Sequence, residues 1–198
     1  MYICLEGIDG SGKTTISRML SDSLKQSGYN VLLVKEPYTT YINNVIGIVE
    51  AIDSEYKEQI LLCLYAADRL ILLEQIKQYK GIIISDRSKY SSFAYQDYLG
   101  YNYEVNGYMK TPDIIIYLDV SSEIASERML KRNDGRDKSK DKKYLHKIRM
   151  NYRGRVKEVA EEDFVKWIEI DASRNLEEVF KDVKKIVGKI CYDKQDNR

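Results

Sequence analysis

Apolar positions along the chain alternate between two patterns. Four short runs are continuous: Tyr2-Ile3-Cys4-Leu5, Val31-Leu32-Leu33-Val34, Ile82-Ile83-Ile84 and Ile114-Ile115-Ile116-Tyr117-Leu118. Their length and β-branched content predict strands, the second of them buried on both faces, and Trp167-Ile168-Glu169-Ile170, broken by one glutamate, reads as a short fifth. Between them, apolar residues recur three and four apart: Ile16, Met19, Leu20 and Leu24 up to Gly28; Ile42, Val45, Ile46, Val49 and Ile52; Val179, Phe180, Val183, Ile186, Val187 and Ile190. These are amphipathic helices. From about Tyr56 to Tyr79 the chain is apolar almost all round, which predicts a long, largely buried helix. The charged pair Asp68-Arg69 in its middle is an expensive placement without a purpose. Ser121 or Ser122 is placed to cap a helix reaching about Arg132. Strands alternating with helices predict an α/β fold, a five-stranded parallel sheet with helices on both faces. Ligands of such sheets gather at the carboxyl ends of the strands. The segments after Leu5, at Glu36-Pro37, at Asp86-Arg87 and after Leu118 should therefore face one crevice.

The segment after the first run carries the clearest chemistry. Gly7-Ile8-Asp9-Gly10-Ser11-Gly12-Lys13-Thr14 fits the P-loop pattern G-x-x-x-x-G-K-S/T, with a strand before it and a helix after it. Polyphosphate oxygens need several backbone N–H donors at once, and glycines let the chain bend until those amides converge. The helix starting near Lys13 adds the positive end of its dipole. Lys13 suits the β- and γ-phosphates, and the Thr14 hydroxyl suits Mg²⁺. Nucleotide triphosphate binding follows.

Composition narrows the picture further. At 198 residues the expectation is one domain with a real core, and 32 basic against 31 acidic side chains give no global field toward nucleic acid or membrane. Cys4, Cys63 and Cys191 are odd in number and far apart, and His146 is the only histidine, so buried free thiols are expected rather than disulfides or zinc. No signal-peptide pattern precedes the first strand and no apolar run reaches membrane-spanning length, which suits a cytoplasmic protein.

Six segments together resemble thymidylate kinases, the P-loop nucleoside-monophosphate kinases that make dTDP from dTMP and ATP. They are Glu6 to Thr15, Leu64-Tyr65-Ala66-Ala67-Asp68-Arg69, Ser85-Asp86-Arg87, Ser91-Ser92-Phe93-Ala94-Tyr95-Gln96, Pro112-Asp113 with Leu118-Asp119-Val120, and Ile170-Asp171-Ala172-Ser173. The resemblance implies one P-loop kinase domain over 1–198, a three-layer α/β/α arrangement with a basic lid at about 132–145. It implies ATP and Mg²⁺ as cofactors, dTMP as small-molecule substrate, no nucleic-acid or membrane partner, and a homodimer formed through such a long apolar helix.

The implied sites follow residue by residue. Gly7, Ile8, Asp9, Gly10, Ser11, Gly12, Lys13, Thr14 and Thr15, with Arg128 and Ala172, would hold ATP, and Ala172-Ser173 would pass the adenine. Tyr65 would stack on thymine and Arg69, four residues on and on the same helix face, would reach a base carbonyl. The other reading of that pair is a core tyrosine beside an Asp68–Arg69 ion pair. Arg87 would grip the monophosphate, or be a plain surface arginine. Tyr95 would crowd the sugar 2′ position, and Asp9 would meet the 3′-hydroxyl and acceptor phosphate region. Glu36, Pro37, Ser92 and Gln96 would line the acceptor site, and Asp86 would either hold Mg²⁺ through water or serve as a loop acceptor.

Two departures matter. Tyr38-Thr39-Thr40 stands where the family often has Gly-Gly-Thr or an arginine on the acceptor-phosphate loop. Gly10 occupies the P-loop place that one branch gives to a catalytic arginine; the other branch takes that arginine from the lid, and here Arg132 and Arg136 flank Asn133-Asp134-Gly135. The catalytic set is then Lys13, Asp9, Arg87, Arg132 and Arg136. From Arg128 to Arg155 twelve Lys or Arg face three Asp, which reads as lid plus solvated face, with a nucleic-acid patch as the alternative. A kinase of dUMP, another deoxynucleotide or a deoxynucleoside keeps the same parts, and an ATP-binding regulatory or nucleic-acid module is the reading from another class.

Overall fold

The computed structural model describes residues 1–96, 101–132 and 141–196. All five predicted strands are present: β1 (Tyr2–Glu6), β2 (Val31–Lys35), β3 (Ile82–Asp86), β4 (Ile114–Asp119) and β5 (Lys166–Asp171). They pair in parallel, in the order β2-β3-β1-β4-β5, so β1 is central. The helices are α1 (Lys13–Gln26), α2 (Thr40–Ala51), α3 (Lys57–Ile76), α4 (Lys89–Tyr95), α5 (Tyr101–Asn106), α6 (Ser122–Arg132), α7 (Lys142–Asn151), α8 (Lys157–Glu162) and α9 (Leu176–Asp196), with a π-helical turn at Tyr152–Val156 before α8.

Every residue of β1 and β3 is buried, which accounts for their lack of alternation: helices cover both sides. The core joins Ile3, Leu5, Ile84, Ile115 and Ile116 of the sheet to Ile16 and Leu20 of α1, Val183 and Val187 of α9, and Tyr90 and Ala94 of α4. Tyr152, wholly buried, stacks on Tyr117 with centroids 5.4 Å apart, and Tyr117 lies 5.2 Å from the ring of Trp167.

Register places the functional ends together. Leu5 pairs with Asp86, Glu6 with Tyr117 and Lys35 with Asp86, so the P-loop, the Glu36-Pro37 segment and Arg87 leave the same sheet edge. Strand order reverses beside β1, where α/β sheets open a crevice.

Several expectations need correction. α3 is not largely buried: Ile60, Leu70 and Ile71 are exposed, and its core face is confined to Leu61, Leu62, Ala66, Leu72 and Ile76. α2, α4 and α5 each cover part of it and Leu72 and Ile76 reach the sheet, which leaves Ile60, Leu70 and Ile71 outside. On α2 only Ile46 and Val49 are buried, while Val45 and Ile52 stay exposed. Cys63 is exposed on α3, unlike Cys4 and Cys191. Residues 89–95 and 101–106, to which the apolar pattern assigns no element, form α4 and α5. The cap expected at Ser121 or Ser122 is Ser121, which accepts the N–H of Ile124 at the start of α6.

Candidate active site

β1 delivers the chain into the P-loop with Gly7, Gly10 and Gly12 at φ of 147°, 82° and 99°, a conformation that side chains disfavour. Gly10 has a second requirement: a Cβ there would lie 2.4 Å from the carbonyl oxygen of Ala125 in α6. Lys13 opens α1 and is buried. Its Nζ donates to the carbonyls of Gly7 and Ile8, both at 2.9 Å, so the loop wraps its own lysine. Burial, and then the nearby Arg87 guanidinium, lower the Lys13 pKa to about 8, against the pull of Asp9 and Asp86.

Thr14 Oγ1 donates to Asp86 Oδ2 at 2.5 Å, and Asp86 Oδ1 is buried with no hydrogen-bond partner. A hydroxyl and a carboxylate oxygen with spare capacity are hard oxygen donors beside the P-loop, and they fit Mg²⁺ that keeps waters and phosphate ligands. Among the described residues no group of three or more His, Cys, Asp or Glu could bind a metal without such help.

Two clefts flank the loop. The first, about 400 Å³, is lined by Asp9, Glu36, Pro37, Tyr65, Arg69, Arg87, Ser91, Tyr95 and Gln96, with Lys35, Lys57, Leu61 and Tyr144. The second, about 350 Å³, is lined by Gly10, Ser11, Gly12, Thr15, Arg128, Lys131 and Ala172. One loop thus borders both.

Arg87 lines the first cleft and reaches the P-loop. Its backbone lies at φ 81°, with its N–H on Leu5 O at 3.1 Å and its carbonyl accepting Ser85 Oγ at 2.5 Å. Its guanidinium pairs with Asp9, donates to Ser91 Oγ at 3.2 Å and to Tyr95 OH at 3.3 Å, and lies 4.9 Å over the Tyr95 ring. Burial, ahead of the opposing pull of Arg87, pushes the Tyr95 phenol above its ordinary value, so it stays protonated.

One end of the first cleft is built by α3. The Arg69 guanidinium lies 6.0 Å from the Tyr65 ring centroid and donates through Nε to Glu36 at 2.6 Å. Burial raises the Glu36 pKa, and the Arg69 charge opposes it. The Asp68–Arg69 ion pair is replaced by a different arrangement. Asp68 accepts the N–H groups of Tyr38 and Thr39, at 2.5 and 2.7 Å, and the Thr39 hydroxyl at 2.9 Å. Those two amides of the loop that departs from the family are therefore turned inward. Ser92 accepts from Arg69, while Gln96 receives Asn102 on its carbonyl.

On the other side Arg128 donates to the carbonyls of Ala172, Ser173 and Arg174 at 2.8, 3.4 and 3.3 Å, tying α6 to the loop after β5. Ala172 N–H meets Asp119 O at 2.7 Å. Arg136 and the Arg132 side chain lie outside the described residues.

Some site residues escaped the sequence. Glu6 is wholly buried beneath the P-loop and accepts Ser88 Oγ and Ser91 Oγ at 2.7 Å and Tyr152 OH at 2.8 Å. Since Ser91 also accepts from Arg87, this carboxylate braces the arginine from behind. Its signal was a charge closing an apolar strand. Asp119 takes both Arg149 Nε at 2.7 Å and Nη2 at 2.6 Å, and these bonds hold its pKa below the usual range although burial acts the other way. That pairing, 30 residues apart, has no sequence signal.

Residues 5–183 match the thymidylate kinase family. The chain is 34% identical over 199 residues to a protein of Methanobrevibacter smithii described as a probable thymidylate kinase, with 98% of each chain covered. Proteins of the same description from Methanosphaera stadtmanae and Staphylothermus marinus are 39% and 38% identical, covering 87% and 94% of this chain and 90% and 94% of theirs.

Proposed function

The chain belongs to the thymidylate kinase family, an ATP-dependent kinase phosphorylating dTMP to dTDP, and we propose that transfer runs across the junction where Arg87 meets the P-loop. The observation that carries this is the P-loop bordering both clefts: Asp9, paired with Arg87, lines the first, and the adjoining Gly10, Ser11 and Gly12 line the second. In this reading dTMP lies in the first cleft, with thymine against Tyr65, a base carbonyl toward Arg69, and Glu36, Pro37, Ser92 and Gln96 around it. Tyr95 crowds the sugar 2′ position and Asp9 meets the 3′-hydroxyl. ATP lies in the second, with its phosphates in the amides of Gly7 to Thr15, its γ-phosphoryl at Lys13, and its adenine near Arg128 and Ala172.

The acceptor phosphate oxygen is already anionic, so no general base is needed, and catalysis is positioning plus charge stabilisation. Arg87 exchanges its contact with Asp9 for the monophosphate and places it in line. Lys13 moves from the Gly7 and Ile8 carbonyls toward the phosphates. Mg²⁺, held by Thr14 and water-linked Asp86, would neutralise phosphate charge when bound.

The remaining positive charge is assigned to Arg132 or Arg136 of the lid. Gly10 supports this, because the Ala125 carbonyl leaves no room for a side chain in the P-loop position that the other branch uses. Combined Arg132→Ala and Arg136→Ala should lower kcat by about 100-fold or more while ATP still binds; unchanged turnover would place the charge elsewhere.

A coupled assay over dTMP, dUMP, dCMP and thymidine tests the acceptor directly. The expected order puts dTMP first in kcat/KM. ATP hydrolysis equal with and without any acceptor would defeat the reading. We further propose that residues 1–198 act as one kinase unit in the cytoplasm, and that the exposed apolar side chains of α2 and α3, Tyr41, Ile48, Leu70 and Ile71, pair two copies. No helix among the described residues is long and apolar enough to cross a membrane. Sedimentation at twice the 23.1 kDa chain mass is expected, and a single-chain mass at micromolar concentration would refute the pairing.

A further inference from the structure

Arg69 is held more tightly than a base-reading side chain needs to be. Its Nε donates to Glu36 Oε2 at 2.6 Å, and its Nη1 donates to both Ser92 Oγ and Asn106 Oδ1 at 2.9 Å. A guanidinium carries five N–H donors in one plane. Nε and both hydrogens of Nη1 are thus occupied, and among the described residues Nη2 has no protein partner. Asn106 closes α5 and is 1% exposed. It is itself anchored, since its Nδ2 donates to Asn102 Oδ1 at 3.3 Å. Asn102, also buried, donates to the carbonyls of Gln96 and Ser92. Two buried asparagines therefore fix the rotation of the arginine relative to α4.

We propose that Asn106 is a specificity-determining positioning residue: together with Ser92 it consumes Nη1 of Arg69, so only Nη2 faces the pyrimidine, which must answer with an acceptor. This rests on the reading above that Arg69 meets a base carbonyl. Thymine and uracil carry O4 there, whereas cytosine carries an amino donor. A loosely held arginine would turn away from that amine and find water or another oxygen. The pinned one leaves donor against donor in a desolvated cleft, and the penalty falls on the wrong base.

The test compares kcat/KM for dTMP and dCMP in the wild-type chain, Asn106→Ala, Asn106→Asp and Arg69→Lys. Asn106→Ala should lower the dTMP-to-dCMP ratio about tenfold or more, chiefly by improving dCMP, with kcat on dTMP changed less than the ratio. Asn106→Asp keeps an acceptor oxygen for Nη1 and should hold the ratio within about threefold of wild type. Should thermal melting show that Asn106→Ala does not fold, Asn106→Leu, of similar volume, carries the same expectation. A wild-type ratio in folded Asn106→Ala or Asn106→Leu overturns the proposal, as does a collapsed ratio in Asn106→Asp. Arg69→Lys separates the two levels. If it leaves the ratio unchanged, the assignment of Arg69 to the base fails; if it collapses the ratio while the Asn106 variants do not, only the role of Asn106 fails.

Discussion

Lys13→Ala should lower kcat by about 10³-fold while the protein stays folded. The two halves of that expectation come from the same burial. Inside the P-loop the ammonium is screened by little water, so its attraction for transferring phosphate oxygens is large. The same lack of water makes the charged side chain costly to the ligand-free fold, as its depressed pKa of about 8 records. Removing it therefore relieves a cost rather than breaking a support. The pH dependence has a definite sign. Folded Lys13 releases its proton near 8 and the unfolded chain near the ordinary 10.5, so between those values the unfolded state holds more protons. The contribution of Lys13 to stability thus rises with pH across that window, and the melting temperature of wild type relative to Lys13→Ala should rise with it. The kcat/KM for ATP, which reports the free enzyme, should fall above about pH 8 as the lysine is neutralised. A flat profile from pH 7 to 9.5, or a melting difference that falls with pH, would contradict the burial argument.

Arg87→Ala is the second large effect, with kcat/KM for dTMP expected to fall about 10²- to 10³-fold and ATP binding nearly unchanged. Arg87→Lys should recover little of it. A lysine brings the charge but not the planar fork that here meets Asp9, Ser91 and Tyr95 at once. Glu6 behind Ser91 holds that fork in place, so the loss is one of aim as well as charge. Steady-state kinetics with dTMP varied at saturating ATP will decide it, and lysine restoring half of wild-type activity would show that charge alone suffices.

How much of this was legible in the sequence depended on how local the physics was. The P-loop was readable because phosphate binding dictates both residue types and spacing within eight positions. Four of the strands were readable because they are unbroken apolar runs, as in the wholly buried β1 and β3, whereas β5, interrupted by Glu169 and half exposed, carries a weaker pattern. The burial of α3 departs from its composition, since composition does not say which neighbour covers which side. Asp68 and Arg69 show the same limit at one residue's distance. Consecutive helix positions point about 100° apart, so the two charges face different elements, Asp68 toward the amides of 38 and 39 and Arg69 toward Glu36. Asn102 and Asn106 sit in a stretch without periodicity, and nothing short of the packed α4–α5 pair reveals that they clamp an arginine.

The contact between Gly10 and α6 has an evolutionary consequence. A point mutation installing arginine at position 10 would drive its Cβ into the Ala125 carbonyl before its guanidinium could reach anything. A lineage acquiring an arginine at position 10 would therefore have to shift α6 as well, so no single substitution reaches a loop-arginine form from this chain.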